Sequence, residues 1–418
     1  MSYQQLMELN GYLEEPDVRS FIAESLETID LENKRVVVLV PDQTRTMPLP
    51  MVFEVLRRAL ADRVAALDFI VALGTHPPLN EDQLSQLFGR PVRGGKVAEH
   101  HIYNHTWGQP DTLREIGVIP GDEINALTEG FLSDPLHVRI NQRIFDYDHI
   151  LICGPVSPNV SIGFSGGNKY FFPGISGTEV INFTHWLAAL LTNVVVNGSG
   201  YTPIRALVDR AAQFIHRPRS CLAFVLDKRG IFGVFFGTPE EAWKGASALS
   251  AKIHIIYTGR TFTRALAVMP EMYDELWVGG KGMYKLEPVL ADGGELIIYA
   301  PHINWISLNQ GALIQQIGYH VKDYFLKQWD DFKHVPWGVL AHSTHVKGLG
   351  TYNPRTGEEL PRIQVTLATG IPEETCRQIN LGYKDPAAIS FAEWEGREEE
   401  GILLVKQAGE HLYRVKST

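Results

Sequence analysis

Residues 149–185 read HILICGPVSPNVSIGFSGGNKYFFPGISGTEVINFTH. The first six, His149-Ile-Leu-Ile-Cys-Gly154, form a short, almost wholly apolar run of the kind that makes a buried parallel strand. Five glycines then fall within fifteen residues (Gly163, Gly166, Gly167, Gly174 and Gly177), with one lysine, Lys169, among them. Glycine clusters let the backbone take positive φ and approach a ligand closely. A lysine inside such a loop is a phosphate ligand, a nucleophile or, in the plain alternative, a surface residue on a structural turn. The loop follows a strand, so it is expected at the strand's carboxyl end, where open α/β sheets bind their ligands. His185 closes the stretch.

Working outward, the same alternation recurs. Arg35-Val-Val-Val-Leu-Val40 is a second buried-strand run and ends in the polar turn Pro41-Asp42-Gln43-Thr44-Arg45. A helix is predicted over 49–62, a strand over 66–72, the turn Gly74-Thr75-His76-Pro77-Pro78, and a helix starting at Asn80. Strand, polar turn and helix in repetition predict a doubly wound α/β domain. Parallel strands point their carboxyl ends one way, so Asp42, Arg45 and His76 are expected near the glycine loop. Before these lies a helix with Asp17 as its N-cap. Further on, strands are predicted at 136–141, 221–226 and 253–257. Helices are predicted at 184–196, with His185 in its first turn, and at 238–251. A second α/β unit is expected to begin after a boundary at 258–270. Its strands are predicted at 275–278, 295–300 and 363–368 and its helices at 308–318, 320–329 and 372–379. The runs around Leu403 and Tyr413 look like a hairpin.

Composition narrows the functional classes. The 418 residues suffice for two or three domains, and 44% hydrophobic with 21% charged residues is ordinary for a globular protein. A net charge of −10 argues against nucleic acid as a partner, which would need a basic face. Cys153, Cys221 and Cys376 have no paired spacing, so neither a disulfide framework nor a zinc site is expected. With no long apolar run and no signal-peptide pattern at Met1, the chain is expected to be cytoplasmic and free of the membrane.

The blocks Pro41–Arg45, Gly74-Thr75-His76, Gly163-Phe-Ser-Gly-Gly-Asn-Lys169, Pro173-Gly174-Ile175 and His185, with Lys285 as a weaker match, resemble the lactate racemase family of nickel-pincer enzymes. The resemblance implies two α/β domains with mainly parallel sheets and an active-site cleft between them. It places an N-terminal cofactor-binding domain at 1–262, with the C-terminal hairpin of about 400–418 packing back on it, and a C-terminal α/β domain at 263–399. It further implies a nickel-pincer nucleotide as cofactor, and hence dependence on the enzymes that synthesise it. Lys169 would anchor that cofactor, with Asp42, Thr44, Gly166 and Gly167 around it, and His185 would be the nickel ligand. An imidazole suits nickel.

The reaction implied is racemisation or epimerisation of a 2-hydroxy acid by reversible hydride transfer, with two histidines as alternating acid and base. His76 matches one of them. The other is expected ten residues before Lys169, where this chain has Asn159, and asparagine cannot take a proton at neutral pH. Another group, with His101, His105 and His302 as candidates, would then supply the base, or Asn159 would bind a different substrate. Arg45 is suited to a bidentate grip on the substrate carboxylate, and Lys285 would add a charge. Gly282, where the family tends to carry glutamine, leaves room for a substrate larger than lactate, such as a sugar acid. His342 and His345 form a His-x-x-His pair, read as a loop. A second reading, supported by Asn159, is a nickel-free descendant that binds a nucleotide or a small carboxylic acid without catalysis.

Overall fold

The computed structural model describes residues 2–74 and 76–416, the side chain of Pro110 excepted; Thr75, the middle residue of the Gly74–His76 turn, lies outside the described residues. The chain divides into two compact units. The first comprises 1–157, 164–181 and 200–252; the second comprises 158–163, 182–199 and 253–418.

The first unit is built on an eight-stranded sheet. Its centre is parallel: Arg219–Leu226, His149–Pro155, Arg35–Val40, Ala66–Val71 and His100–Asn104 lie side by side in that order. Antiparallel strands close the edges, Ile231–Gly237 and Gln4–Met7 on one side and Lys96–Val97 on the other. The run Val36–Val40 is fully buried, as expected for a strand with helices on both faces. The helix Leu49–Leu60 shows how a helix meets the sheet. Leu49, Val52, Phe53, Leu56 and Leu60 recur at three- and four-residue spacing and are all buried. Phe53 packs edge-on to Phe88 at 5.6 Å and against Phe69 of the sheet at 5.4 Å. Burying each such side chain stabilises the fold by roughly 1.5–3 kcal/mol.

The strand order positions the site. From Arg35–Val40 the chain first builds outward through Ala66–Val71 and His100–Asn104. It then returns to lay His149–Pro155 on the opposite side of Arg35–Val40. The strand order therefore reverses between Arg35–Val40 and His149–Pro155, the kind of point at whose carboxyl ends open α/β sheets bind their ligands.

The second unit holds a five-stranded sheet, parallel throughout, in the order Gly382–Tyr383, Gln364–Thr369, Leu290–Ala300, Phe262–Val268, Ile402–Val405. The mixed α/β class with mainly parallel sheets is as the sequence predicts.

Several local readings are corrected. The first helix is Glu15–Glu27 with Glu14 as N-cap; Asp17 lies in its first turn. Residues 276–279 form a helical turn instead of a strand and run on through Gly280 into the turn Lys281–Tyr284. The strands Ile402–Val405 and Leu412–Val415 are not a hairpin: each finds its own parallel partner, Phe262–Val268 and Ile255–Thr258 respectively. Local alternation marks a strand but not its partner. No helix among the described residues is long and apolar enough to cross a membrane.

Candidate active site

In the first unit, the turn after Arg35–Val40 carries a chain of polar contacts. Arg45 donates to the Thr44 hydroxyl at 3.1 Å. That hydroxyl donates to Asp42 Oδ1 at 2.5 Å, joined there by the Thr44 N–H at 2.9 Å. The other carboxylate oxygen of Asp42 meets Nδ1 of His76. Burial alone would raise the Asp42 carboxyl. The hydrogen bond and charge of His76, the Arg45 guanidinium and the Thr44 hydroxyl outweigh it and hold the group well below the usual carboxylate range. An ionised carboxylate only accepts, so Nδ1 of His76 carries the hydrogen, and whenever the ring is neutral Nε2 is its acceptor nitrogen. The imidazole is 29% exposed, enough to meet a ligand.

The glycine block leaves the neighbouring strand and is braced from both ends. Ser165 N–H donates to Ser157 O and Ser157 N–H to Ser165 Oγ, both at 2.9 Å. Gly174 O accepts from Gly74 N–H at 2.9 Å, which ties the block to the His76 turn. Arg205, 1% exposed, donates to Gly166 O at 3.1 Å and Phe164 O at 2.6 Å, and lies over the Trp243 ring at 4.2 Å. Gly167 has φ +58°, and a Cβ there would stand 2.9 Å from Trp243 Cβ, so only glycine fits. Asn168 donates to Asp209 at 2.9 Å and to Glu240 at 2.6 Å.

Between these braces sits Lys169. Burial, then the positive charges of Arg45 and Arg205, lower its amine to about 7 against the opposing pull of Asp42. At neutral pH much of it is a free amine, the nucleophilic form. The first unit thus brings Asp42, Thr44, Arg45, His76, Gly166, Gly167 and Lys169 together at the point where the strand order reverses.

In the second unit, His185 lies in the middle of the helix Thr178–Leu191, not in a first turn: the helix starts six residues before the expected Thr184. Its neighbours from another helix, Trp337–Lys347, are His342 and His345, which are helical and buried rather than on a loop. His342 stacks on Trp277 at 3.8 Å and donates from Nε2 to the Trp277 carbonyl at 2.9 Å. Burial first, and the charge of His185 among the further causes, lower His342 to about 4 and His345 to about 3. Nδ1 of His342 and Nε2 of His345 have no hydrogen-bond partner among the described residues. No group of three or more His, Cys, Asp or Glu is arranged to hold a metal ion among the described residues. A metal at His185 would have to arrive with most of its donors already attached.

Three sequence-level candidates are accounted for otherwise. Lys285 is 6% exposed and its ammonium donates to Glu410 O at 2.8 Å, anchoring the C-terminal segment. His105 is fully buried between Ser176 O at 3.0 Å and the Asn141 amide at 3.2 Å, and burial lowers it to about 4. His302 bonds Tyr273 O at 3.1 Å. Asn159 belongs to the second unit, and its side chain accepts from Ser161. Sequence reading missed Arg205, Asn168 and Trp243. The available signal was an arginine on the apolar face of Pro203–Ala212, in line with Val208 and Ala212.

Comparison with known proteins gives one consistent picture. Residues 17–195 match the lactate racemase N-terminal domain. The lactate racemase of Lactiplantibacillus plantarum is 24% identical over 276 residues, 63% of this chain and 56% of that protein. The lactate racemase of Thermoanaerobacterium thermosaccharolyticum is 23% identical over 286 residues, 64% of this chain and 60% of that protein. The chain thus spans less than two thirds of either relative. A structural-genomics crystal structure of a Thermotoga maritima protein is similar over 98% of this chain and 100% of its own, at 31% identity and a TM-score of 0.89. The lactate racemase apoprotein structure from T. thermosaccharolyticum has a TM-score of 0.74 at 16% identity over 96% of this chain and 93% of that one, a likeness of fold.

Proposed function

The chain belongs to the lactate racemase family, and from that premise we propose that it inverts the C2 centre of a 2-hydroxy acid larger than lactate, such as a sugar acid, with a nickel-pincer nucleotide as cofactor. The observation that carries this reading is the hydrogen-bonded series Arg45–Thr44–Asp42–His76, set at a strand-order reversal whose neighbouring loop holds Lys169.

The residues present suit that cofactor. Lys169 is a largely enclosed amine whose pKa of about 7 favours covalent attachment or contact with an anionic group. His185 offers one imidazole beside partnerless ring nitrogens, with no competing cluster of metal ligands among the described residues. When bound, the nickel-pincer group would accept and return the C2 hydride. Lys169 and His185 would hold it, with the glycines at 166 and 167 allowing close approach of the backbone.

The chain's own residues would manage the substrate and its proton. Nε2 of His76 takes the C2 hydroxyl proton, and Asp42 fixes the tautomer and stabilises the imidazolium that results. Arg45, free of any carboxylate salt bridge among the described residues and oriented by Thr44, grips the substrate carboxylate. Lys285 remains a candidate for a second cation only if its bond to Glu410 O is exchanged for the substrate. The partners implied are the substrate and the enzymes that synthesise the cofactor, with the reaction in the cytoplasm.

The alternative is a nickel-free member that binds a nucleotide or small carboxylic acid; Asn159, in place of a second histidine, is the observation that favours it. A screen of 2-hydroxy acids in deuterated water, with protein co-expressed with the pincer-synthesis enzymes, separates the two. Inversion at C2 with the carbon-bound hydrogen retained supports hydride transfer. Inversion with deuterium wash-in at C2, or none on any 2-hydroxy acid, removes the proposal.

A further inference from the structure

His100–Asn104 is the outermost parallel strand of the first unit, and its last three residues line a cleft of about 580 Å³. The other walls come from the segment 106–114 and from the helical turn Gln142–Asp146, so the whole lining lies within the first unit. The volume falls in the range of roughly 300–1,000 Å³ usual for small-molecule sites.

The walls are tied to each other. Asn104 exchanges two hydrogen bonds with the Leu79 backbone, at 3.0 and 2.9 Å. The Thr106 and Thr112 hydroxyls meet at 2.7 Å. The Gln142 amide donates to Asp111 O at 2.6 Å, and Asn141 caps the helical turn by accepting from the Arg143 N–H at 3.1 Å.

Four charged side chains of the lining stand outside this bracing. Arg143 lies over the Tyr103 ring at 3.9 Å and Arg114 over the Phe145 ring at 5.1 Å. Neither guanidinium has a hydrogen bond or an ion pair among the described residues. A ring takes a guanidinium by its face, so the N–H donors, which lie in the guanidinium plane, stay free for a ligand. Asp111 and Asp146 line the same cleft, and their carboxylates are also without a partner among the described residues. Arg139 shows the contrast: on the neighbouring strand Leu136–Asn141, it is held by Glu179 at 3.0 Å and Glu115 at 3.5 Å.

Two cations oriented by rings and left unpaired, in a chain of net charge −10, call for an anionic ligand. A bare anion would be repelled by the two aspartates, so the ligand must also carry hydrogen-bond donors. An amino acid has both, but its single carboxylate occupies one guanidinium fork. A phosphate dianion matches the charge of two, and sugar hydroxyls donate to carboxylates.

We propose that this cleft binds a phosphorylated sugar or polyol, with Arg114 and Arg143 on the phosphate and Asp111 and Asp146 on the hydroxyls. The site shares no residue with the one built on Asp42, His76 and Lys169, and the inference does not depend on the racemase reading.

The test is calorimetric titration of the intact chain with ribose 5-phosphate, glucose 6-phosphate, ribose, inorganic phosphate and glutamate. At least one sugar phosphate should bind at a single site, about tenfold or more tighter than ribose, inorganic phosphate or glutamate. Arg114→Gln and Arg143→Gln should each weaken it by about tenfold or more. Both arginines are exposed, so the melting temperatures should stay close to wild type. Arg139→Gln, the control for general surface charge, should bind within about twofold of wild type. Asp146→Asn should weaken the sugar phosphate and leave inorganic phosphate no weaker. Absence of saturable binding of either sugar phosphate, or binding that survives both arginine substitutions, overturns the inference. Inorganic phosphate or glutamate binding as tightly as the sugar phosphates overturns the ligand class.

Discussion

Nδ1 of His76 donates to the Asp42 carboxylate, and the same carboxylate is held on its other oxygen by Thr44, itself held by Arg45. The neutral imidazole thus has a fixed tautomer, and a cation that can hold a carboxylate stands three contacts away.

His76→Gln removes the proton acceptor and keeps a similar volume. Turnover should fall by about 10²–10⁴-fold, the usual worth of a positioned acid or base, with a smaller change in KM. Asp42→Asn should give a loss of the same order because the amide no longer dictates the tautomer. Steady-state kinetics on the holoprotein checks both, and a loss under threefold in either would remove that residue from the proton path.

Asp42 also ties stability to pH. Its folded pKa lies below the unfolded value, so its contribution is present above about pH 4 and is lost as pH falls towards the folded pKa. Urea titrations from pH 3 to 7 should show a steeper acid-side loss for wild type than for Asp42→Asn, by about 1–2 kcal/mol. Parallel curves would contradict the assignment.

Lys169 acts in the opposite sense. Its folded pKa of about 7 lies below the 10.5 of an ordinary lysine, so the unfolded chain binds the extra proton between those values. Stability should therefore rise with pH across that window. Lys169→Met should stabilise the cofactor-free protein at pH 7 by on the order of 2–4 kcal/mol, less than the full shift would give because the largely enclosed side chain keeps some exposure. The amine itself should react with acylating reagents with a midpoint near pH 7, measurable by peptide mass spectrometry. A midpoint near 10 would contradict the environment described.

Arg205 braces the glycine block from beneath. Arg205→Ala would leave the carbonyls of Gly166 and Phe164 without their donor and open a cavity beside Trp243. A loss of about 3 kcal/mol or more is expected in urea denaturation. A change under 1 kcal/mol would show that the block holds its shape unaided.

Much of this arrangement is legible in the chain itself, for identifiable reasons. The runs 36–40, 69–71 and 150–153 are apolar throughout because they are buried on both faces, and that pattern is local. The carboxyl-end rule then places Asp42, His76 and Lys169 together without any coordinates. The failures share one cause, dependence on distant partners. Residues 402–405 and 412–415 alternate like a hairpin but pair with strands more than a hundred residues earlier. Lys285 matches a motif by spacing, yet Glu410 O takes its ammonium. Arg205 reaches the glycine block across 39 and 41 residues of chain, which no local signal reports.

The most direct test of the central claim is nickel content together with intact mass, measured on protein co-expressed with the pincer-synthesis enzymes, for wild type and for His185→Ala. About one nickel per chain is expected in the wild type, since the proposed site offers one imidazole and the cofactor would supply the remaining donors. A nucleotide-sized adduct on Lys169 should accompany it if the anchor is covalent. His185→Ala should retain little or no nickel. Full loading in His185→Ala would contradict the ligand assignment, and a folded wild type with neither nickel nor adduct would contradict the account as a whole.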